Sequence, residues 1–562
     1  MDGTRDFRFP SAGDRNATHS PERTTRLQIS PGARVRAFAV QLCALVMLMG
    51  CMAGPNFVKP PDVGIEKKWM EATDPRIKTG SAAYTTWWET FQDPVLDALI
   101  TKAYEQNPDL QIAGIRILEA RAQLAIAIGS LYPQQQQMNS ALIGTHRSDN
   151  TTGSIATSPN FSTLDLTFDA AWELDFFGKF RRSVESGTAN LEATVARYDD
   201  LLVTLTGEVA RVYVLIRTFE QRLIIAAQNV KIQQRSLQIA EARFEGGDVS
   251  ELDVAQAKSL LAATESLIPR LETSLRQLKN ALAVLLGLMP DEIEAILGPA
   301  HEIPKVSDEV AVSFPAELMR RRPDIRLAEY RLAAQSAQIG VAQADLYPHF
   351  TLFGSIGWAT SSGTPTDAGG LGGSSLGDLF DTKSLTWTAG PAFSWDILNY
   401  GRIRNQVRVE DARFQQLAVN YENTILKAFQ EVEDAMVAFL RSQEEEKILK
   451  KGVAASQRAV DLSLLQYREG LVDYQRVLDT QRFLTEQSDA LTSTAGDVVV
   501  NLVSLYKALG GGWQLRKGDV FVSEKTRQQM VERTNWGSLL EPLEIEPPVS
   551  EKDRSKWRTP RW

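Results

Sequence analysis

RPDIRLAEYRLAAQSAQIGVAQADLYP, residues 322–348, is the second use of a pattern that the chain has already spelled as NPDLQIAGIRILEARAQLAIAIGSLYP at residues 107–133. The two stretches have the same length, so Pro323-Asp324 matches Pro108-Asp109 and Leu346-Tyr347-Pro348 matches Leu131-Tyr132-Pro133, every pair 215 positions apart. The correspondence goes on. Asp175 pairs with Asp396, Gly178 with Gly401, Gly247 with Gly470 and Gly287 with Gly510, the offset settling at 223 after a two-residue insertion near Asn399. A unit of about 200 residues is far too long for a solenoid repeat. The chain is a duplicated domain, and the question becomes what one unit builds.

Each unit changes its period twice. Asp93 can cap a helix with Pro94 at its first position, and that helix is expected to run to about Ser130, where Pro133 stops it. From Leu164 the pattern alternates. Leu164, Leu166, Phe168, Ala170, Trp172 and Leu174 share one face, with Asp165, Thr167, Asp169, Glu173 and Asp175 on the other. Period two means a strand with one oily and one wet face. The second unit repeats it with Phe350, Leu352, Ile356 and Trp358, then with Leu385, Trp387, Ala389, Phe393 and Trp395. A fourth, weaker strand covers Met138 to Gly144. Strands of about ten residues with aromatic-rich oily faces have the length and pattern of a transmembrane β-barrel. Four strands do not close a barrel by themselves, so several chains must contribute or the strands must join something else.

From about Arg182 the spacing becomes alternately four and three: Leu191, Val195, Tyr198, Leu202, Leu205, Val209, Val212, Ile216, Phe219 and Leu223. This is a coiled-coil seam, and it continues to Phe244, a helix of roughly 90 Å at 1.5 Å per residue. Phe414, Leu417, Tyr421, Ile425, Ala428, Val432, Ala435 and Phe439 repeat it. Both long helices end at glycine turns, Gly246-Gly247 and Gly470, from which return helices run over Leu252–Leu286 and Tyr474–Leu509. The return helix and the helix before the strands, stacked end to end, match the long one. Each unit therefore reads as one continuous and one two-piece rod, with strands at one end and a glycine turn at the other. On these residues the fold class is a mixed α and β membrane protein, internally duplicated, with long coiled-coil helices and the strands of a transmembrane β-barrel. The first structural repeat covers 87–300 and the second 301–515, joined by the Pro- and acid-rich stretch Pro290 to Pro315. Residues 516–562 form a polar tail.

Composition narrows the chemistry. A net charge of −9 without a basic cluster argues against nucleic acid. Four histidines and two cysteines do not supply a zinc site of the usual spacing, and no nucleophile–base constellation is visible, so neither a metal cofactor nor catalysis is expected. Arg34 and Arg36 precede an apolar run, Ala37 to Met49, ending in Leu48-Met49-Gly50-Cys51. Such a run is a secretory signal, too short to span as a helix. The Cys at its end resembles a bacterial lipoprotein signal, in which Cys51 is lipidated and becomes the mature N-terminus. Met49 departs from the usual small residue. Met52, rather than Asp, after the Cys favours the outer membrane in such lipoproteins. Residues 1–50 are then a signal with a possible mis-assigned start, and 51–86 an anchor and extended tether through Gly54-Pro55-Asn56-Phe57-Val58-Lys59-Pro60-Pro61. Removal of Cys43 with the signal leaves no intramolecular disulfide.

Cys51 to Pro60, Trp88 to Leu99, the 322–348 block, Trp395-Asp396 with Gly401-Arg402-Ile403-Arg404, and Leu502 to Trp513 together resemble the outer-membrane efflux protein family, the TolC-like outer membrane factors, in their NodT-like lipoprotein branch of multidrug efflux. The resemblance implies a homotrimer with four strands per chain and twelve in the transmembrane β-barrel, and it makes the helices a long coiled-coil α-helical barrel, a tunnel crossing the periplasm. It also implies docking of the tip turns Gly246, Gly247 and Gly470 onto a periplasmic adaptor protein that serves an inner-membrane RND pump. It puts Asp479 into the pore near the tip, where threefold symmetry makes a carboxylate ring that favours cations. Tyr467 and Asp253 match a pair linking neighbouring tip hairpins in the closed state. Val472 and Leu252 replace a second polar link, and Arg476 replaces a pore acid, so Arg476 and Asp479 are expected to compensate one another in part. Lys179, Arg181, Arg182, Arg402 and Arg404 are expected to act as headgroup-level anchors and helix starts. The resulting reading is an outer-membrane channel lipoprotein and passive exit duct for drugs or other small molecules. The alternative in the same fold is a conduit for type I protein secretion.

Overall fold

The computed structural model describes residues 52–60, 69–80, 84–146, 148, 160–312, 321–362, 375–516 and 520–541. The signal segment, Cys51 and residues 542–562 lie outside them. In chain order the first half contains β1 (Ile77–Thr79), α1 (Pro94–Gln106), α2 (Pro108–Gly129), β2 (Gln135–His146), β3 (Asn160–Leu174), α3 (Lys179–Glu245), α4 (Glu251–Glu265), α5 (Leu267–Leu285) and α6 (Ile293–Leu297). The second contains β4 (Val310–Val312), α7 (Pro323–Ala344), β5 (His349–Ser362), β6 (Leu385–Ser394), α8 (Arg402–Arg468) and α9 (Tyr474–Ala508), followed by α10 (Glu524–Arg533) in the tail.

All four long strands form one antiparallel sheet in the order β2-β3-β5-β6. The register aligns the two faces across the central rows of the sheet. Met138, Phe168, Ile356 and Trp387 lie in one row, while Gln137, Asp169, Ser355 and Thr388 lie in the next. On the wet face Asn139 donates to the Asp169 carboxylate at 2.6 Å and His349 meets Glu173 at 2.7 Å. On the oily face Trp387 is 74% exposed and Phe393 nearly as much, an arrangement suited to hydrocarbon rather than water. Backbones approach closely at one point. A Cβ on Gly357 would lie 2.1 Å from the Leu166 carbonyl oxygen.

The two long helices, α3 and α8, have 67 residues each, about 100 Å at the α-helical rise. Each starts from a left-handed glycine, Gly178 at φ 78° and Gly401 at φ 83°. The seam residues from Leu191 to Ile216 and from Tyr421 to Phe439 are buried, as their spacing requires. Trp87 stacks on Tyr506 at 5.4 Å, and a Cβ on Gly511 would lie 3.0 Å from the Trp87 ring. The paired tryptophans and the distant Gly510-Gly511-Gly512-Trp513 run thus form one packing unit.

Two expectations about helices are corrected. The stretch from Asp93 to Ser130 is two helices, because Pro108 has no N–H to continue the ladder and Asn107 caps the second, accepting from the Leu110 N–H at 2.8 Å. The first return helix is also two, α4 and α5, broken at Ser266 with Pro269 in the following first turn, where its missing N–H has no partner to lose.

The end-to-end stacking is realised at a joint built twice. The Asn107 side chain donates to the Leu285 carbonyl at 2.9 Å, and the matching Arg322 donates to the Ala508 carbonyl at 2.7 Å. Leu285 and Ala508 are themselves 223 residues apart. The negative end of each return helix therefore meets the first residues of the next rod. Gly287 and Gly510 follow in left-handed turns at φ 66° and 70°. A Cβ on Gly287 would lie 2.5 Å from the Gln106 carbonyl oxygen, so the contact admits only glycine.

The tail is strapped to this middle region. Arg516 bonds Asp199 at 3.0 Å, the Phe521 ring meets Tyr198 edge-on at 5.2 Å, and Arg121 donates to the carbonyls of Leu539 and Glu541 at 2.8 and 2.9 Å. In the connector, β4 pairs in parallel with β1 of the tether.

Candidate functional site

At the end remote from the sheet, α3 turns into α4 and α8 into α9 by the same local rule. In the first turn the Gly247 N–H donates to the Phe244 carbonyl and the Asp248 N–H to the Arg243 carbonyl, at 3.0 and 2.9 Å. In the second the Gly470 N–H donates to Tyr467 and the Leu471 N–H to Gln466, at 3.0 and 2.8 Å. Both are Schellman closures, which place one residue in the left-handed region. Gly247 and Gly470 fill that place at φ 81° and 74°. Gly246 does not: its φ is −71°, ordinary helix, which any residue adopts.

The two turns are held together by a small apolar cluster of Ala240, Val254, Ala257, Tyr467, Tyr474, Val477 and Leu478, separate from the main core. Tyr467 is buried and its hydroxyl donates to Asp253 Oδ2 at 3.2 Å. Its ring meets Tyr474 edge-on at 5.2 Å, and the Tyr474 hydroxyl lies 3.2 Å from Ser236 Oγ. Burial pushes both phenols up, and the Asp253 carboxylate adds to the effect. The structure thus brings Asp253 and Tyr467 together within one chain. Val472 packs against the same cluster, whereas Leu252 is 61% exposed.

Asp479 and Arg476 lie on the exposed face of α9. Asp479 accepts from the Gln475 side chain at 3.0 Å, one turn back on its own helix. The structure records no ion pair between Arg476 and Asp479, so the expected mutual compensation is not realised as a contact. Among the described residues no group of His, Cys, Asp and Glu is arranged to hold a metal ion.

Sequence reasoning missed Arg243. Its guanidinium lies over the Tyr467 ring, 4.7 Å from the centroid, donates to the Tyr467 carbonyl, and sits 4.0 Å from Asp248. A basic residue in the last helical turn is favoured by the helix dipole, which was the available signal. Its reach across to the second hairpin was not. At the sheet end Lys179 and Arg402 are the first residues of α3 and α8, the helix starts expected there. Lys179 pairs with Asp345 at 2.8 Å, Arg181 with Asp175 at 3.1 Å and Arg402 with Asp396 at 3.2 Å. Arg182 is buried within the protein rather than reaching headgroups. Cys51 lies outside the described residues.

The geometry has relatives. The sequence model of the family described as outer membrane efflux protein matches residues 99–288 and 314–511. Nodulation protein T of Rhizobium leguminosarum bv. viciae is 31% identical over 475 residues, covering 84% of this chain and 93% of that protein. The pyoverdine export outer membrane protein OpmQ of Pseudomonas putida is 32% identical over 484 residues, covering 84% of this chain and 97% of that protein. Among solved structures, the outer-membrane channel OprN superposes with a TM-score of 0.75 at 31% identity, over 83% of this chain and 100% of that one. These descriptions favour efflux over the type I secretion alternative. With a helical tunnel, a barrel-forming sheet and a matching family model over most of its length, the chain belongs to the outer membrane efflux protein family.

Proposed function

We propose that the chain forms a homotrimeric exit duct whose twelve strands close the barrel and whose α3 and α8 rods line a tunnel. The observation that carries this is the pairing of a two-faced sheet, open at β2 and β6, with rods of about 100 Å that end in two turns packed on one apolar cluster. Open sheet edges in a membrane must be paired, and a second copy supplies the partner strands. The duct is passive and holds no catalytic or metal cofactor. Energy and cargo choice come from an inner-membrane RND pump, reached through a periplasmic adaptor that docks on the protruding turns at Gly246, Gly247 and Gly470. Cys51 carries the lipid that anchors the mature chain.

In this reading Tyr467–Asp253 and Arg243 hold the mouth shut, and a ring of Asp479 from three chains selects cations. Purified protein in planar bilayers is expected to give trimer-sized, cation-preferring channels. Asp479→Ala is expected to weaken the preference or raise conductance. A monomer in detergent with no conductance overturns the duct.

A further inference from the structure

Arg182, in the first turn of α3, is 1% exposed. One of its nitrogens meets a carboxylate, Glu185 Oε2, at 2.7 Å. The rest of the guanidinium is turned onto the segment that follows Cys51. Nε donates to the Ala53 carbonyl at 3.0 Å, and Nη2 donates to the Gly54 carbonyl at 3.2 Å and to Asn56 Oδ1 at 2.8 Å. The Ala53 N–H donates in turn to the Phe177 carbonyl at 2.9 Å. Three glycines make this approach possible. A Cβ on Gly178 would lie 2.9 Å from Met52 Cα, one on Gly340 would lie 2.8 Å from the Ala53 carbonyl oxygen, and one on Gly54 would lie 2.4 Å from Gly340 Cα. Gly54 also turns the chain at φ 86°.

The duplication supplies a comparison site within the same molecule. At the matching start of α8, Gly401 stands for Gly178, but Asn405 stands where Arg182 does, and Ala125 of α2 stands where Gly340 does. Of two quasi-equivalent helix starts, one carries both the guanidinium fork and the facing glycine, and that one holds the peptide. A buried arginine left without these acceptors would be costly, so the arrangement is specific to an occupant with closely spaced carbonyls.

We propose that Gly178, Arg182 and Gly340 form a receptor for the chain's own processed N-terminal segment, Met52–Asn56. The proposal rests on reading Cys51 as the lipid-bearing mature N-terminus. Arg182 comes from the first unit and Gly340 from the second unit of one chain, so the receptor is complete before chains assemble. It ties the lipid anchor of each chain to the β3–α3 junction of that same chain. The basic group at this height serves the anchor peptide rather than a headgroup.

The test is hydrogen exchange at the Ala53 amide in the full-length, detergent-purified protein. Arg182→Asn and Gly340→Ala each install the residue that the other copy carries at the matching position. A Cβ on Gly340 would also press on Arg182 Cγ and Cδ at 2.9 Å, so Arg182→Asn, which removes that side chain, is the decisive one of the two. Asn56→Ala alters the peptide and leaves the body untouched. Arg182→Asn and Gly340→Ala are expected to speed exchange at least about tenfold, and Asn56→Ala by less, with trimer yield and conductance retained. Unchanged exchange in all three overturns the receptor. Faster exchange in a protein without an acyl mass on Cys51 supports the receptor and removes the lipid reading. Faster exchange in a protein that never conducts supports the receptor and leaves the duct as the failed part.

Discussion

Tyr467 shows how much one side chain carries at the tip. Its hydroxyl reaches Asp253, its ring lies under Arg243 and against Tyr474, and its carbonyl accepts from both Gly470 and Arg243. Tyr467→Phe keeps the ring and removes one hydrogen bond to a carboxylate, about 1 kcal/mol. Open events of single channels in bilayers should then become several-fold more frequent. An unchanged open probability would remove the Tyr467–Asp253 bond from the gate. Asp200, in the middle of α3, makes a pH-dependent contribution. Burial, then the negative charge of Asp324, pushes its carboxyl up from 3.8 to about 6. The folded state therefore favours the protonated acid. Stability is greatest at low pH and is lost as pH rises from about 4 through about 6. Asp200→Asn should stabilise the protein at pH 7.5 by up to about 2 kcal/mol and leave it unchanged at pH 4. Thermal unfolding at the two values reads the difference.

At the scale of elements, the joint between return helix and pre-strand helix is the feature that the repeated motif encodes. Pro108 and Pro323 begin a rod, and the residue before each reaches back to the last carbonyls of the helix behind it. Arg322 also bonds Asp324 and Glu431, both at 2.7 Å. Arg322→Ala should cost about 2–4 kcal/mol because several partners of a buried charge are lost together, measured as a lowered denaturant midpoint. Between Pro323 and Leu346 the spacing is a length constraint. Deletion of one residue inside α7 should shift β5 by one position against β3, which exchanges oily and wet faces. The expected outcome is loss of heat-stable trimer in membranes. A trimer of normal yield would show that the register is set elsewhere.

For the whole molecule, the sheet faces decide what surrounds the barrel. Trp387 and Thr388 are adjacent in β6 and point to opposite sides. Trp387→Lys puts a charge towards hydrocarbon and should cost about 2–4 kcal/mol near the midplane, whereas Thr388→Lys faces the lumen and should leave assembly intact. Trimer yield in membranes distinguishes them, and equal loss from both would refute the assignment of faces. The same two-sidedness was legible from the alternation of Leu385 to Trp395. The sheet order was not, because pairing β3 with β5 joins residues almost 200 positions apart. Of the tip, the glycines at 247 and 470 were legible as helix stops. Arg243 was not, since its partner lies on another hairpin.

Sequence alone determined the duplication, the two periods and the rod lengths, because hydrophobic spacing and glycine or proline punctuation are local properties that any one copy displays. The family and the tunnel came from the resemblance of the quoted stretches, which the match to the family model bears out. Tertiary structure decided what the periods do not contain. The break at Asn107 became a joint only when Leu285 was brought to it. Gly246 proved an ordinary helical residue. Arg182, which belongs by position to a row of basic residues at a membrane surface, turned inward because Gly178 and Gly340 leave space for Met52–Asn56 beside it. Which groups meet across long stretches of chain depends on packing in three dimensions, and no local pattern carries that information.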